Sequence, residues 1–483
     1  MSLKRCQRQP LHIENGIHLR MSTLLSNRNE VITQTSELYQ FMATGCKPRK
    51  RWRVGTEHEK FGFRKKDYTP IPYDGPDGIR ALLEAMAQQF EWQIVYENNH
   101  PIALRQGAAS ITLEPGGQLE LSGAPLRTIH ETQQEINDHL SQLGRICREM
   151  DMAFLGAGVQ PKWPMALIPW MPKERYRIMG EYLPTRGSLS LEMMTRTATV
   201  QANLDFSSEA DMARKFRLSM ALQPLVVALF ANSPFCDGQP NGFLSYRSHI
   251  WHHTDPDRCG WLPFLFEGEF TFERYVDYAL DVPMFFVYRQ GAYLPAHGVP
   301  FRAFLAGRLP ILPGEYPTIA DWELHLSTLF PDVRLKTYLE LRGADAGNSA
   351  SLSALPALWK GLLYHKETLE AAWELVRHWT PEEREAIHRT VPKMALHTPL
   401  PNGKTMQHLA KTILQLAKSS LEHQDCRNHK GCNESIFLKP LELIANTGIT
   451  PAEKLLHAFH GHWNHTIDPI FTEQEFESFY AEC

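Results

Sequence analysis

The feature that most constrains this fold is a set of stretches in which polar and apolar residues alternate. In RVGTEHEKFGF, residues 53–63, Glu57 and Glu59 lie two positions apart between Val54 and two phenylalanines. Side chains two apart on a strand point to the same face, so both carboxylates project from one side of a sheet. Such a pair repels itself unless that face is wet or carries positive charge. The stretch therefore predicts a strand with one buried and one acidic face.

Two further stretches repeat this alternation. The polar row of TVQANLDF contains Gln201 and Asn203, and Glu340 and Arg342 share a face in TYLELRGAD. Parallel sheets that are buried on both sides rarely expose such polar faces. We therefore expect an antiparallel or mixed sheet with helices on one side and a concave polar surface on the other.

A fourth stretch, ITLEPGGQLELSG, places Glu120 on one strand face. Residues 115–117, Pro-Gly-Gly, favour a turn or a bulge, so parity does not decide whether Glu114 joins that face.

Amphipathic helical patterns lie between the strands, and they dominate from about residue 350 onwards. The sequence thus predicts an α+β chain with a disordered N-terminal arm over residues 1–30. A single catalytic domain follows over residues 31–483, and its part from 350 to 483 is mainly helical.

Composition excludes several classes of partner. The chain is 43% hydrophobic and 22% charged, and its formal net charge of -4 gives no reason to expect nucleic acid or an anionic membrane surface. No apolar run reaches the roughly 20 residues of a membrane span. The first 20 residues lack the apolar region of a signal peptide, and the eight cysteines are scattered. We expect a cytoplasmic protein.

Two histidine-rich loops leave a metal site open as an alternative. HQDCRNHKGC spaces two histidines with Cys426 and Cys432 at intervals of three, and HIWHHTDPD contains three histidines. Neither loop has the ligand spacing of a structural zinc site, so an exposed polar loop is our main interpretation of both.

The glutamates of the polar faces predict a hard metal ion. Several converging carboxylates raise one another's pKa, and Mg²⁺ or Mn²⁺ relieves that repulsion. The alternative is that the glutamates occupy separate exposed faces. The candidate ligands are Glu57, Glu59, Glu114, Glu120, Gln201 and Glu340.

A nucleotide would have to be held without a standard phosphate loop. The chain has no GxxxxGK[ST] and no GxGxxG after a strand, and it also lacks HExxH and GxSxG. Metal ions and arginines would then hold ATP, and our candidates are Arg342, Arg196, Arg175 and Arg177. Arg247, in NGFLSYRSHIW, suits a substrate carboxylate because a guanidinium binds carboxylates through paired hydrogen bonds.

Taken together, these motifs resemble the glutamate–cysteine ligases of the plant and proteobacterial class over residues 30–472. The resemblance rests on GTEHEKFGF, ASITLEPGGQLELSGAPLRTIHET, MPKERYRIM, MMTRTATVQANLDFSSE, YRSHIW, YALDVPMFFVYR, YLELRGAD and TPAEKLLHAFHGHWNHTIDPIF. It implies ATP-dependent joining of L-glutamate to L-cysteine with Mg²⁺, through a γ-glutamyl phosphate, as the first step of glutathione synthesis. It also implies a fold akin to that of glutamine synthetase, with a curved, largely antiparallel sheet and the active site in its concave face.

The resemblance also implies residue roles. The metal-binding glutamates would be residues 57, 59, 114, 120 and 340, and Gln201 lies where more distant relatives use a histidine. Arg342 resembles the arginine that contacts ATP phosphate, and Arg247 resembles one that holds glutamate. We add Gln201 and Asn203 to the substrate-binding residues. Ala198 stands where plant members commonly carry a cysteine, and we recognise no chloroplast-type transit segment.

Two alternatives remain open at this point. A related γ-glutamyl ligase could use another amine acceptor, because the sequence does not reveal the acceptor pocket. A non-catalytic binding module could keep the same sheet, although so many glutamates would bring it only uncompensated charge. We expect a monomer or a homodimer.

Overall fold

The computed structural model describes residues 11–12 and 29–476, and these residues form one large sheet surrounded by helices. In chain order the strands β1–β16 are Leu11–His12, Val54–Arg64, Gln93–Glu97, His100–Gln106, Ala109–Leu113, Leu119–Ser122, Met152–Leu155, Thr199–Leu204, Phe235–Cys236, Gln239–Pro240, Cys259–Gly260, Phe286–Arg289, Ala292–Pro295, Phe330–Pro331, Val333–Leu335 and Leu339–Asp345. The α-helices α1–α18 are Thr35–Ala43, Ile79–Phe90, Ile129–Glu149, Glu174–Tyr182, Ser190–Arg196, Glu209–Ala221, Gln223–Leu229, Tyr246–His252, Phe272–Asp281, Phe301–Leu305, Ile319–Leu326, Ser349–Leu363, Lys366–Val376, Pro381–Met394, Met406–Gln424, Lys439–Thr447, Pro451–His460 and Ile470–Glu473.

The main sheet has ten strands in the order β1-β3-β4-β5-β6-β2-β8-β16-β15, and β7 pairs with the far end of β2. All of its pairings are antiparallel except that of β1 with β3. The expected α+β fold with a largely antiparallel sheet is confirmed.

Strand register aligns the polar rows of neighbouring strands. Glu57 lies opposite Gln201 in the β2–β8 pair, and Glu59 lies opposite Glu120 in the β2–β6 pair. Glu340 lies opposite Asn203 in the β8–β16 pair. Because directly opposed residues project to the same face, four strands contribute to one polar surface.

The apolar rows of these strands face a helical layer. Val200, Ala202 and Leu204 are fully buried, and helix α12 packs across both β8 and β2. Alternation within the strands therefore separates a helix-backed core from the polar surface, as the sequence pattern predicts.

A bulge interrupts β16 in its middle. Leu341 pairs with Ala202 and Ala344 pairs with Val200, so Arg342 and Gly343 together lie opposite the single residue Gln201. A side chain at Gly343 would place its Cβ 2.2 Å from the side-chain oxygen of Gln223, which favours glycine at this point.

Beyond β16 the described chain is helical. It contains α12–α18 and no strand. No helix of the described residues is both long and apolar enough to cross a membrane. Within the expected N-terminal arm, Leu11 and His12 pair in parallel with Val95 and Tyr96, and residues 1–10 and 13–28 lie outside the described residues.

Candidate active site

A cavity of about 370 Å³ lies over the polar surface of the sheet. Helices α4, α5 and α8 supply its walls together with the β12–β13 hairpin. Of the residues predicted from sequence, the cavity is lined by Glu57, Glu59, Glu114, Glu120, Arg175, Gln201, Arg247, Glu340 and Arg342.

Hydrogen bonds from adjacent strands fix the carboxylates of the acidic half, which we define as Glu57, Glu59, Glu114 and Glu120. The amide of Asn203 donates to Glu57 Oε1 at 2.8 Å, so Asn203 orients a glutamate from outside the cavity lining. The backbone N–H of Thr199 donates to Glu59 Oε2 at 2.9 Å.

Glu120 is held by two hydroxyl groups. Thr112 donates to Glu120 Oε2 at 2.8 Å, and Ser122 donates to Glu120 Oε1 at 2.7 Å. Both hydroxyls come from the same sheet face, so this carboxylate is positioned by residues of β5 and β6.

The turn between β5 and β6 brings Glu114 into the cavity, which parity could not predict. The N–H of Gly117 donates to the carbonyl of Glu114, and Gly117 adopts a φ of 84° that favours glycine. Gly116 packs so closely on the backbone of Thr195 that a Cβ would lie 2.2 Å from its oxygen. The Pro-Gly-Gly sequence therefore fixes where Glu114 points.

The surroundings of Glu59 in the acidic half disfavour its ionised form. Burial, together with the neighbouring Glu114 and Glu120 carboxylates, raises the pKa of Glu59 well above its usual value. Arg247 and the Thr199 N–H oppose this shift without cancelling it. The arrangement thus favours a bound cation or a bound proton.

The opposite half of the cavity, formed by Arg334, Lys336, Glu340 and Arg342, is basic. Glu340 is completely buried, and its Oε2 is contacted by Arg334, by Lys336 Nζ at 3.5 Å and by Arg342 Nη1 at 3.7 Å. Burial raises the pKa of Glu340, but the three cations outweigh it and hold the pKa well below its usual range. Glu340 is therefore an ionised group inside a cluster of cations.

The sequence reasoning missed Arg334 and Lys336. Both precede Glu340 in VRLKTYLELR and lie two positions apart, and Arg334 pairs directly with Glu340 across the β15–β16 hairpin. The sequence signal that could have identified them is two cations at alternate positions just before the predicted strand of Glu340.

Arg247 and Gln201 lie between the two halves. Gln201 Oε1 accepts a hydrogen bond from Arg342 Nη1 at 3.0 Å, and Arg247 Nη2 donates to the carbonyl of Arg342 at 3.0 Å. Arg247 is 4% exposed, and its side chain reaches the cavity from α8.

The structure does not bring Arg177 and Arg196 to this cavity. Arg177 lies on the exposed face of α4, where it pairs with Glu174 and Glu181. Arg196 is buried, and its guanidinium donates to Asp237 at 2.8 Å. Both guanidinium groups are paired with carboxylates outside the cavity, because neither side chain belongs to the polar row of a strand.

The described residues contain no group of three or more histidine, cysteine, aspartate or glutamate side chains arranged to hold a metal ion as they stand. The glutamates of the acidic half share a cavity without converging on a single point. In the loop HQDCRNHKGC, which was the other candidate metal site, Cys426 is a free thiol and Cys432 is disulfide-bonded, so these two cysteines do not pair with each other.

Comparison with known proteins gives a consistent result over most of the chain. The model of glutamate-cysteine ligase family 2 (GCS2) matches residues 53–473. The chain belongs to the glutamate–cysteine ligase family.

Curated plant relatives support the same assignment. The chloroplastic glutamate–cysteine ligases of Brassica juncea and Arabidopsis thaliana are each 54% identical over 437 residues, which cover 90% of this chain and 83% and 82% of theirs. Glutamate–cysteine ligase B of Oryza sativa subsp. japonica is 53% identical over the same share of this chain and 86% of its own. These relatives are named chloroplastic, so the expectation of a cytoplasmic protein is wrong.

A solved structure shares the fold at low sequence identity. The glutamate–cysteine ligase of Francisella tularensis in complex with AMP superposes with a TM-score of 0.51 at 12% identity, covering 85% of each chain. The predicted ligase family and its fold are both confirmed.

Proposed function

We propose that this glutamate–cysteine ligase family member joins the γ-carboxylate of L-glutamate to the amine of L-cysteine with hydrolysis of ATP to ADP and phosphate. The observation that carries the proposal is a single cavity with a carboxylate half and a guanidinium and ammonium half. Activating a carboxylate with ATP requires both a site for metal-bound phosphates and cations for the transferred phosphoryl group.

The acidic half fits Mg²⁺ by the chemistry of its donors. Glu57, Glu59, Glu114 and Glu120 offer carboxylate oxygens, and Gln201 beside them could add its amide oxygen in place of its hydrogen bond to Arg342. Burial and the neighbouring carboxylates raise the pKa of Glu59, and a divalent cation bound there would favour its ionised form. Bound there, Mg²⁺ would withdraw charge from phosphate oxygens during transfer. Mn²⁺ has the same ligand preferences and is an expected substitute.

The basic half suits the phosphates of ATP. Glu340 keeps Arg334, Lys336 and Arg342 together, and it offsets part of their mutual repulsion. We assign Arg342 to phosphate contact and Glu340 to orienting these cations. In phosphoryl transfer, catalysis comes mainly from positioning and charge stabilisation, and such a cluster provides both.

The reaction would proceed in two steps. The γ-carboxylate oxygen of glutamate attacks the γ-phosphorus of ATP, which forms γ-glutamyl phosphate and releases ADP. The cysteine amine then attacks the acyl carbon, phosphate leaves, and the amine gives up a proton. Arg247 would hold the glutamate substrate because its guanidinium reaches the cavity between the two halves.

The proposal covers a monomer or a homodimer. The test is ADP release by the purified protein with ATP, Mg²⁺ and L-glutamate, in the presence of L-cysteine, 2-aminobutyrate or a polyamine. We expect turnover with cysteine and with its close isostere 2-aminobutyrate, and none with the polyamine. Preference for the polyamine would overturn the proposed acceptor, and ADP release that does not depend on glutamate would overturn the reaction.

A further inference from the structure

One aromatic side chain in the cavity wall has no role in the proposed chemistry so far. Trp251 lies on α8, one helical turn after Arg247, and its indole lines the cavity beside Phe330. Because residues four apart share a helix face, Trp251 and Arg247 point towards the same part of the cavity.

The indole of Trp251 contacts two cations from different elements. Its ring centre is 5.6 Å from the guanidinium carbon of Arg247 and 5.7 Å from that of Arg342. Guanidinium groups at this distance are attracted to the indole π system, so the ring helps to fix both arginines.

Two donors at this point have no acceptor within the described residues. They are Trp251 Nε1 and Arg247 Nε, both of which are shielded from solvent. A buried donor without a partner is unfavourable, and an indole N–H can only donate. One of these donors belongs to a cation, Arg247, and a second cation, Arg342, lies beside them, so the group matches a negatively charged oxygen ligand.

We propose that Trp251 is a substrate-binding residue whose indole N–H donates a hydrogen bond to an oxyanion of a substrate held by Arg247. The inference rests on the proposed function, because the oxyanion is either a carboxylate of glutamate or a phosphate of ATP. A carboxylate and a phosphate would both accept this hydrogen bond. They differ in whether loss of the bond raises the KM of glutamate or the KM of ATP.

The test compares Trp251→Phe with wild type. Phenylalanine keeps an aromatic ring next to the arginines and removes only the N–H. We expect the KM of one substrate, glutamate or ATP, to rise about tenfold with a small change in kcat, since a hydrogen bond to a charged group contributes binding energy. A rise confined to glutamate identifies a carboxylate, and a rise confined to ATP identifies a phosphate.

Trp359→Phe provides a matched control. Trp359 is 1% exposed, and its Nε1 also lacks an acceptor within the described residues, but it lies on α12 and does not line the cavity. The same chemical change there should leave both KM values within twofold of wild type. An equal rise in KM in both variants would overturn the proposal, because it would point to a general structural effect.

A spectroscopic measurement separates binding from packing. The ¹⁵N–¹H spectrum of the chain contains one indole signal for each of its 11 tryptophans, and the Trp251 signal is the one missing in Trp251→Phe. We expect this signal to move when L-glutamate or ATP is added to the wild-type protein. If wild type makes γ-glutamylcysteine while the signal stays fixed and Trp251→Phe keeps both KM values, the role of Trp251 is refuted and the proposed function stands. If wild type has no ligase turnover, the proposed function fails instead.

Discussion

The two halves of the cavity shift the pKa of a glutamate side chain in opposite directions. Glu59 is only partly buried and its pKa is raised, whereas Glu340 is fully buried and its pKa is lowered. Burial pushes both pKa values upwards, so the neighbours decide the outcome. Glu59 has Glu114 and Glu120 nearby, and Glu340 has three cations. The acidic half thus favours a positively charged ligand, whereas in the basic half the carboxylate of Glu340 already offsets part of the positive charge.

The largest expected effect is on turnover when the charge of the acidic half is reduced. Glu59→Gln keeps the size of the side chain and removes its charge, and we expect kcat to fall about a thousandfold, as for other groups that stabilise transition-state charge. Folding should be unaffected, because the substitution relieves repulsion. Steady-state ADP release and circular dichroism test this, with Glu84→Gln on the exposed face of α2 as a control. Unchanged turnover would remove Glu59 from the proposed metal site.

The second expected effect is on the stability of the folded protein, and it distinguishes the basic half from the acidic half. Glu340→Gln leaves the buried Arg334 and the partly buried Lys336 and Arg342 without their carboxylate, and we expect the free energy of unfolding to fall by about 3–5 kcal/mol. Urea denaturation without Mg²⁺ measures this. A larger loss of stability in Glu59→Gln than in Glu340→Gln would reverse the distinction between the two halves.

The third effect concerns metal binding to the folded protein. At a Mg²⁺ concentration about a hundredfold above its Kd, we expect the free energy of unfolding of wild type to rise by about 3 kcal/mol. Thermal unfolding with Mg²⁺ and with EDTA tests this. Glu59→Gln should lose most of the increase, and Glu84→Gln should keep it. An equal increase in both variants would place the metal elsewhere.

The smallest effect comes from a carboxyl group outside the cavity. Burial, with a minor contribution from Asp138, raises the pKa of Glu135 to about 7 although the N–H of Ala124 donates to it. As pH rises, the unfolded chain loses this proton first, so the contribution of Glu135 makes stability fall between about pH 4.5 and 7, by up to about 3 kcal/mol. The free energy of unfolding of Glu135→Gln should not show this decline with pH. Mg²⁺ should not alter the difference between the pH profiles of wild type and variant. Parallel pH profiles of wild type and variant would contradict the prediction.

Alternation predicted much of this molecule because the strands have one face in a helix-backed core. The positions of Glu57, Glu59 and Gln201 follow from parity once a strand is recognised. The position of Glu114 did not follow from parity, because a turn interrupts the strand there. Only the backbone geometry of that turn shows where the side chain points. Arg177 resembled a phosphate ligand by motif, but its helix presents it to solvent beside two glutamates.

Other features depend on pairings between distant segments, which periodicity within one segment does not encode. The role of Arg334 becomes visible only when β15 pairs with β16 and sets it opposite Glu340. Composition was also a poor guide to the cellular compartment, because scattered cysteines suggested cytoplasm, whereas the curated relatives are named chloroplastic.

The bulge in β16 divides that strand into two segments of opposite phase. Even-numbered Glu340 and Arg342 and odd-numbered Asp345 all occupy the polar side, because two residues share the place opposite Gln201. Loss of Leu341 would therefore turn Arg342 towards the helix-backed core, whereas loss of Gly343 would leave all three side chains on the polar side. Of these two positions, the one at which β16 can shorten without moving a charge off the polar side is the one that carries no side chain.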